Sequence, residues 1–126
     1  MSATEWKQQE GTEASRFIST EQIRGTDIFN QAGDYIGRIE YLTIDKESGK
    51  VAFAIVQFGG FLGIGSKRRA LPWSVLSYQR ALNRYIVDAE DDVIRKTPGF
   101  LGDEDYLDPN WVKILHQHYK IAGTKG

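Results

Sequence analysis

Between Gln22 and Val87, short runs of strand-forming residues alternate with glycine-containing turns, and this alternation constrains the fold more than any other feature. Runs of this length, divided by Gly, Asn, Asp and Pro, are typical of an all-β sandwich or barrel. We therefore predict a mainly β fold, a small antiparallel barrel of five or six strands. The predicted strands are residues 23–29, 35–44, 51–56, 68–71 and 84–87, with residues 75–77 extended between the last two.

Two of these runs say more about the core. Residues 51–56 read Val-Ala-Phe-Ala-Ile-Val, so both faces of this strand are expected to be buried at the centre of the sheet. In the run 35–44 the apolar alternation slips phase around Gly37, which indicates a β-bulge or strong coiling.

The regions on either side of the barrel have a different character. Residues 1–19 are polar and aperiodic, which predicts a flexible leader. Residues 90–96 are expected to form one or two helical turns that end before Pro98 and Gly99. The predicted regions are therefore a leader at 1–19, a barrel at 20–100 and a helical extension at 101–126.

The helical extension carries the clearest helix signal in the chain. Asp108 and Pro109 supply a capping carboxylate and a suitable first helical residue, which predicts a helix over 109–121. An isolated helix of this length is marginal in water, so its apolar face must dock on the barrel or on another molecule. The residues that recur at helical spacing on that predicted face are Trp111, Ile114, Leu115 and His118.

Composition narrows the functional classes. The chain of 126 residues has no cysteine, which excludes disulfides, thiolate metal sites and cysteine nucleophiles. No apolar run reaches the length of a membrane span, and no secretion signal precedes the barrel, so we expect a cytoplasmic protein without membrane insertion. The net charge of −1 provides no overall attraction to nucleic acid.

An ordered series of turns and strands runs through segments 33–39, 43–45, 49–51, 59–67 and 71–73, which include Gly33-Asp34-Tyr35, Gly59-Gly60-Phe61 and Leu71-Pro72-Trp73. This series resembles the PRC-barrel domain family. Relatives include the cytoplasmic part of the photosynthetic reaction-centre H subunit and the C-terminal half of a ribosome maturation factor. The resemblance implies a stand-alone bacterial β-barrel that serves as an adaptor surface for proteins or protein–RNA assemblies, without known catalytic chemistry.

The glycine-rich segment 59–65 admits two interpretations. Backbone N–H groups of such a loop could hold a phosphate, but a phosphate loop leads into a helix, and here Lys67-Arg68-Arg69 leads into a predicted strand. A structural loop that presents its large side chains as a contact surface is the favoured interpretation, because apolar residues on a loop usually need a cover. Those side chains are Phe61, Leu62 and Ile64.

A basic and aromatic stretch follows this loop. It contains no acid between Ser66 and Val87, and basic groups interleaved with aromatic rings suit RNA. The alternative, which we favour, is that these charges pair within the protein or between subunits, for instance with the acid-rich segment 88–108. The stretch comprises Lys67, Arg68, Arg69, Arg80 and Arg84, with Trp73, Tyr78 and Tyr85 among them.

The remaining polar groups do not form a catalytic or metal-binding pattern. The acids at 88–92 lack calcium-loop spacing, and His116 and His118 point to nearly opposite sides of a helix. No Ser-His-Asp arrangement is evident, so we expect no cofactor, no metal and no enzyme.

We predict a non-catalytic, protein-binding module that forms homo-oligomers. RNA or ribosome-assembly binding is the alternative, and a small-ligand carrier or enzyme is the least favoured. The candidate partner-binding residues are Phe61, Leu62, Ile64, Lys67, Arg68, Arg69, Trp73, Trp111 and His118.

Overall fold

The structure is a computed structural model that describes residues 16–60 and 67–120. Within them, the predicted β-rich runs form one six-stranded curled sheet in the order β4-β3-β2-β1-β6-β5. The strands are β1 Asp27–Phe29, β2 Tyr35–Ile44, β3 Val51–Phe58, β4 Arg68–Pro72, β5 Leu76–Gln79 and β6 Arg84–Val87. The mainly β fold of six strands is therefore confirmed.

Helical elements lie before, between and after the strands. The α-helices are α1 Thr20–Ile23, α2 Asp91–Arg95, α3 Asp103–Tyr106 and α4 Pro109–Tyr119. Short 3₁₀ turns at Trp73–Val75 and Arg80–Leu82 separate β4, β5 and β6. Among the described residues, no helix is long and apolar enough to cross a membrane.

The sheet is mixed, whereas we had predicted an antiparallel barrel. The pairs β1–β2, β2–β3, β3–β4 and β5–β6 are antiparallel, whereas β1 and β6 pair in parallel through Ile28 with Tyr85 and Phe29 with Ile86. A parallel pair needs a long crossover, and here the whole of β2 to β5 intervenes. This long-range pairing leaves no local signal in the sequence.

The first predicted strand was too long. Ser19 caps a helical turn instead, because its hydroxyl accepts from the backbone N–H of Gln22 at 3.0 Å while the Gln22 side chain accepts from the Ser19 N–H at 3.1 Å. This reciprocal capping box holds Thr20–Ile23 in a helix, so the strand begins only at Asp27.

Strand β2 has the irregularity that its sequence indicates. Its pairing with β3 shifts register between Ile39 and Tyr41. At Gly37 the neighbouring strand is so close that a Cβ atom would lie 2.2 Å from the Gln57 carbonyl oxygen. Only glycine fits at this close approach of two backbones.

Strand β3 is buried on both faces, as predicted, and it lies one place in from the edge strand β4. Ala54, Val56 and Phe58 contribute to an inner cluster, whereas Phe53 and Ile55 point to the opposite face. The inner cluster also collects buried side chains from both ends of the sheet and from the short helices, namely Ile23, Ile28, Ile36, Ile39, Leu71, Val75, Tyr85, Val87 and Ile94.

Helix α4 begins where its cap predicts. The Asp108 carboxylate accepts from the Asn110 N–H at 2.9 Å, and Pro109 is the first helical residue. Lys120 closes the helix in the left-handed conformation, with φ of 53°. The helix therefore ends at Tyr119, two residues before the predicted end.

Candidate protein-interaction surface

The outer face of β3 and β4 forms an apolar groove. Phe53 and Ile55 come from β3 and Ala70 comes from β4. Phe100, from the segment after α2, completes the surface. All four side chains are at most 5 % exposed, because α4 lies on them. We call these four residues the outer groove.

Helix α4 enters this groove through Leu115, which is fully buried. Trp111 packs edge-on against Phe53 with ring centroids 5.9 Å apart, and it contacts the Phe100 ring at 5.8 Å. The docked face therefore belongs to the same chain, and Trp111 is engaged within it.

The docked face of α4 is rotated relative to the predicted one. Ile114, expected on the apolar face, is 54 % exposed, while Val112 and Tyr119 pack against the outer groove. The helix therefore buries a stripe that contains Trp111, Val112, Leu115 and Tyr119, and it leaves Ile114 in solvent. The predicted face was thus wrong at Ile114.

Three polar contacts anchor α4 to the segment that precedes it. The Trp111 indole N–H donates to the Gly99 carbonyl oxygen at 3.1 Å, and the His118 Nε2 lies 2.7 Å from the Val93 carbonyl oxygen. The Tyr119 hydroxyl pairs with the hydroxyl of buried Thr97, and burial raises the pKa of Tyr119 to about 12. These contacts fix the position of the helix along the groove.

The two histidines of α4 serve different contacts. The His116 ring lies 5.9 Å from the Phe53 ring, and burial lowers the pKa of His116. His118 faces Val93 and stacks edge-on against Tyr119. Within residues 16–60 and 67–120, no group of three or more His, Asp or Glu side chains could hold a metal ion.

The segment leading into α4 exposes apolar side chains to solvent. Leu101 is 88 % exposed, Leu107 is 75 % exposed and Ile114 is 54 % exposed. We call these three residues the exposed C-terminal set. Leu107 precedes the Asp108 cap of α4, and Ile114 lies within the helix.

Three basic side chains of the stretch 67–84 are engaged within the chain. Arg68 forms an ion pair with Glu40 on β2 at 2.7 Å. The Arg84 guanidinium lies 4.3 Å from the centroid of the Phe29 ring, and its Nε donates to Gln79 at 2.6 Å. Arg69 donates to the neighbouring Arg68 carbonyl oxygen at 3.0 Å.

The aromatic residues of this stretch form a row that packs on itself. The Trp73 and Tyr85 ring centroids are 5.3 Å apart, and Tyr85 lies 5.2 Å from Tyr78. Burial, with a smaller contribution from Tyr78, raises the pKa of Tyr85. Trp73 is thus half-buried against the barrel.

The backbone of the acid-rich segment 88–108 meets the basic stretch at a bridge between Gly99 and Arg69, whereas the side chains of Asp88 and Asp92 have other partners. Asp92 pairs with Arg95 and Lys96, its own helix neighbours, and these contacts lower the pKa of Asp92. Asp88 accepts from Ser77. In the described part of the chain, the predicted internal charge pairing of Arg68 is therefore satisfied by Glu40 and not by this segment.

The glycine-rich loop is described only at its base. The Phe58 N–H donates to the Lys67 carbonyl oxygen at 2.8 Å, and the Gly59 N–H donates to the Ile36 carbonyl oxygen at 2.9 Å. The predicted contact residues Phe61, Leu62 and Ile64 lie outside the described residues, as does most of the predicted leader.

Comparison with known families identifies the fold. A model of the PRC-barrel domain matches residues 16–98. The chain belongs to the PRC-barrel family. The matched segment contains all six strands and α2, and it ends before α3 and α4.

Other comparisons add little beyond the PRC-barrel fold. A putative 16S ribosomal RNA processing protein, RimM, from Pseudomonas aeruginosa is similar in structure, with a TM-score of 0.44 and 22% sequence identity. The alignment covers 60% of this chain and 45% of that chain, so this protein spans under half of its structural relative. A search of curated proteins gives no match.

One polar residue of the PRC barrel was missed by the sequence reasoning. Asn30 is completely buried at the β1–β2 turn, where its carbonyl oxygen accepts from the Asp34 N–H at 2.7 Å. Its position at the start of a turn was a readable signal, since Asn commonly bonds to the backbone of its own turn. The second partner of the Asn30 side chain is Asp91 at the start of α2, and no nearby residue in the sequence indicates that contact.

Proposed function

We propose that this PRC-barrel protein is a non-catalytic, protein-binding module that acts in the cytoplasm and binds a second copy of itself. The observation that carries the proposal is the exposed C-terminal set, Leu101, Leu107 and Ile114. These side chains are contributed by the segment that the chain adds after its PRC-barrel domain.

The energetics favour burial of this set. Full burial of a Leu or Ile side chain contributes about 1.5 to 3 kcal/mol, so three such residues on each of two copies would supply a substantial driving force. Single exposed leucines are ordinary, but three within one short segment resemble the core of a small interface. A two-fold contact would use the same segment on both copies.

The set by itself is too small for tight association. Stable interfaces bury about 800 Å² per copy, which three side chains cannot supply. The proposal therefore includes further contacts, for which the sequence offers Phe61, Leu62, Ile64 and Lys67 on and beside the glycine-rich loop.

The proposal assigns no chemical step to this surface. His116 and His118, the only histidines of the chain, are engaged with Phe53 and with the Val93 carbonyl oxygen. Arg68 and Arg84 are already committed to Glu40, Phe29 and Gln79, which leaves less free positive charge for a nucleic acid than the sequence suggests.

Sedimentation equilibrium over a protein concentration of about 5 to 500 μM tests the proposal, because self-association is driven by mass action. Wild type should shift towards dimer with concentration, and Leu107→Asp and Ile114→Asp should each weaken association by roughly tenfold or more. Leu82→Asp is the matched control, since Leu82 is 58 % exposed but lies in the turn before β6.

A wild-type protein that stays monomeric throughout this range would contradict the proposal. RNA that copurifies, is released by moderate salt and is lost in Arg68→Glu would instead support the nucleic-acid alternative.

A further inference from the structure

The outer groove and the helix that fills it come from different parts of the chain. Phe53, Ile55 and Ala70 belong to the matched PRC-barrel domain, whereas α4 lies beyond it. An apolar groove on the domain is therefore covered by an appended segment, joined to the domain only through residues 99–108.

The segment that connects the outer groove to α4 buries little surface. Helix α3 has four residues and no buried side chain, and its first turn carries Asp103, Glu104 and Asp105. A 3.4 Å hydrogen bond joins the Tyr41 hydroxyl of β2 to Asp103, and half-buried Tyr106 packs against the outer groove with its ring stacked on Phe100. Segments with so little buried surface open at low free-energy cost.

We propose that residues 101–107 act as a hinge through which α4 is exchanged between two copies, each copy's helix occupying the outer groove of the other. This inference rests on the proposed self-association and specifies its mode. A second copy is the occupant that the structure favours, because α4 is the helix already shown to be complementary to this groove.

The contacts that anchor α4 would be re-formed across the exchange. Trp111 would donate to Gly99, His118 would contact Val93, and Tyr119 would pair with Thr97, in each case between copies. Exchange therefore keeps the same contacts between α4 and the outer groove. The equilibrium between monomer and exchanged dimer then depends on the free energy of the hinge in each form.

The hinge itself favours the exchanged form. Seven extended residues span about 23 Å, enough to cross to an adjacent copy. Leu101 and Leu107 lie within the hinge and are the two most exposed members of the exposed C-terminal set. Where two hinges cross, these side chains can bury each other, which the monomer does not allow.

Complementation between two full-length variants tests the exchange. Leu115→Asp disables the helix and leaves the groove open, whereas Ala70→Phe fills the groove and leaves the helix intact. Because the chain has no cysteine, a label can be placed on an added Lys46→Cys in the turn after β2, and heteroassociation followed by fluorescence anisotropy. We expect the mixture to associate.

The matched control adds Leu115→Asp to the groove-filled variant, so that neither chain carries a working helix. The complementary mixture should associate at least tenfold more tightly than this control mixture. Equal affinity in the two mixtures would overturn the exchange.

A second measurement avoids variants that fail to fold. A labelled peptide of residues 108–120 should bind folded wild type by displacing the resident helix, and the Leu115→Asp peptide should bind at least tenfold more weakly. Equal binding of both peptides would also overturn the exchange.

The outcomes separate the two proposals. A wild type that dimerises without complementation or peptide binding leaves self-association standing and removes the exchange. A monomeric wild type that still accepts the helix in trans removes self-association at those concentrations and retains the groove as a helix-binding site.

Discussion

The Asn30 side-chain amide donates to the Asp91 carboxylate at 3.0 Å, across 61 residues of sequence. The same amide group reaches Asp34 at 3.3 Å, and its carbonyl oxygen accepts from the Asp34 N–H at 2.7 Å. A fully buried side chain thus joins the β1–β2 turn to the first turn of α2. Helix α2 precedes Thr97, so this link supports the segment to which α4 is anchored.

Replacement of Asn30 by alanine should reduce the free energy of unfolding by about 1–3 kcal/mol, because buried polar partners lose their hydrogen bonds. Urea unfolding followed by circular dichroism measures this loss. Asn110→Ala, at an exposed position of α4, should change stability by no more than about 0.5 kcal/mol.

The isosteric variant Asn30→Asp separates hydrogen bonding from packing. It keeps the volume but replaces the donor by an acceptor that faces the Asp34 and Asp91 carboxylates. At neutral pH we expect Asn30→Asp to lower the free energy of unfolding by at least as much as Asn30→Ala does. A stability close to wild type would show that packing alone accounts for the position.

Gly37→Ala should be the most damaging glycine substitution in the described sheet. The added Cβ would lie 2.2 Å from the Gln57 carbonyl oxygen, so β2 and β3 must separate. Overpacking of this kind typically costs about 1–3 kcal/mol. Thermal unfolding of Gly99→Ala provides the control, since a Cβ there meets nothing within 4 Å. Equal melting temperatures for the two variants would contradict the close approach.

Elements with local turn chemistry were predicted accurately from the sequence. Strand β2 was predicted at its exact bounds, because Asn30 to Asp34 precede it and the Gly49 turn follows it. Strand β6 and the start of α4 were also predicted correctly, since an Asp-Pro pair marks the helix start. In each case the signal lies within a few residues of the boundary.

Features that depend on tertiary contacts were missed. The parallel pairing of Ile28 with Tyr85 joins distant residues, and α3 has no apolar periodicity to reveal it. The capping box of Ser19 and Gln22 was readable but was overridden by the strand-like residues that follow. At the interaction surface, Ile114 and Leu115 are both large and apolar, and which one is buried depends on how α4 packs on the outer groove.

Because Ile114 and Leu115 are adjacent on α4 but differ in burial, alanine substitutions at the two positions form a matched comparison. Leu115→Ala should destabilise the protein by about 2–5 kcal/mol because it leaves a cavity in the outer groove. Ile114→Ala should change stability by at most about 0.5 kcal/mol, since its side chain is 54 % exposed. Denaturant unfolding of both variants makes the comparison. Similar losses for the two would place the helix in a different rotation on the groove.

Because of Tyr119, we expect the docking of α4 to weaken at alkaline pH. Burial raises the pKa of Tyr119 from 10.0 to about 12, so the folded state favours the neutral phenol. The unfolded chain ionises first, which means that it binds fewer protons than the folded protein between these two pKa values. The stabilisation that Tyr119 contributes is therefore fully present below about pH 10 and is lost as the pH rises towards 12. This loss reaches about 2–3 kcal/mol in the free energy of unfolding.

Tyr119→Phe isolates this contribution, because the other tyrosines and the lysines are common to both proteins. At neutral pH the variant should be less stable by about 0.5–1.5 kcal/mol, since the contact with Thr97 is lost. The phenylalanine cannot ionise, so the deficit should shrink and then reverse as the pH passes from about 10 to 12. Urea unfolding of both proteins at a series of alkaline pH values measures the difference. A deficit that stays constant over this interval would show that the Tyr119 hydroxyl ionises as freely in the folded protein as in the unfolded chain, and that α4 leaves it open to water.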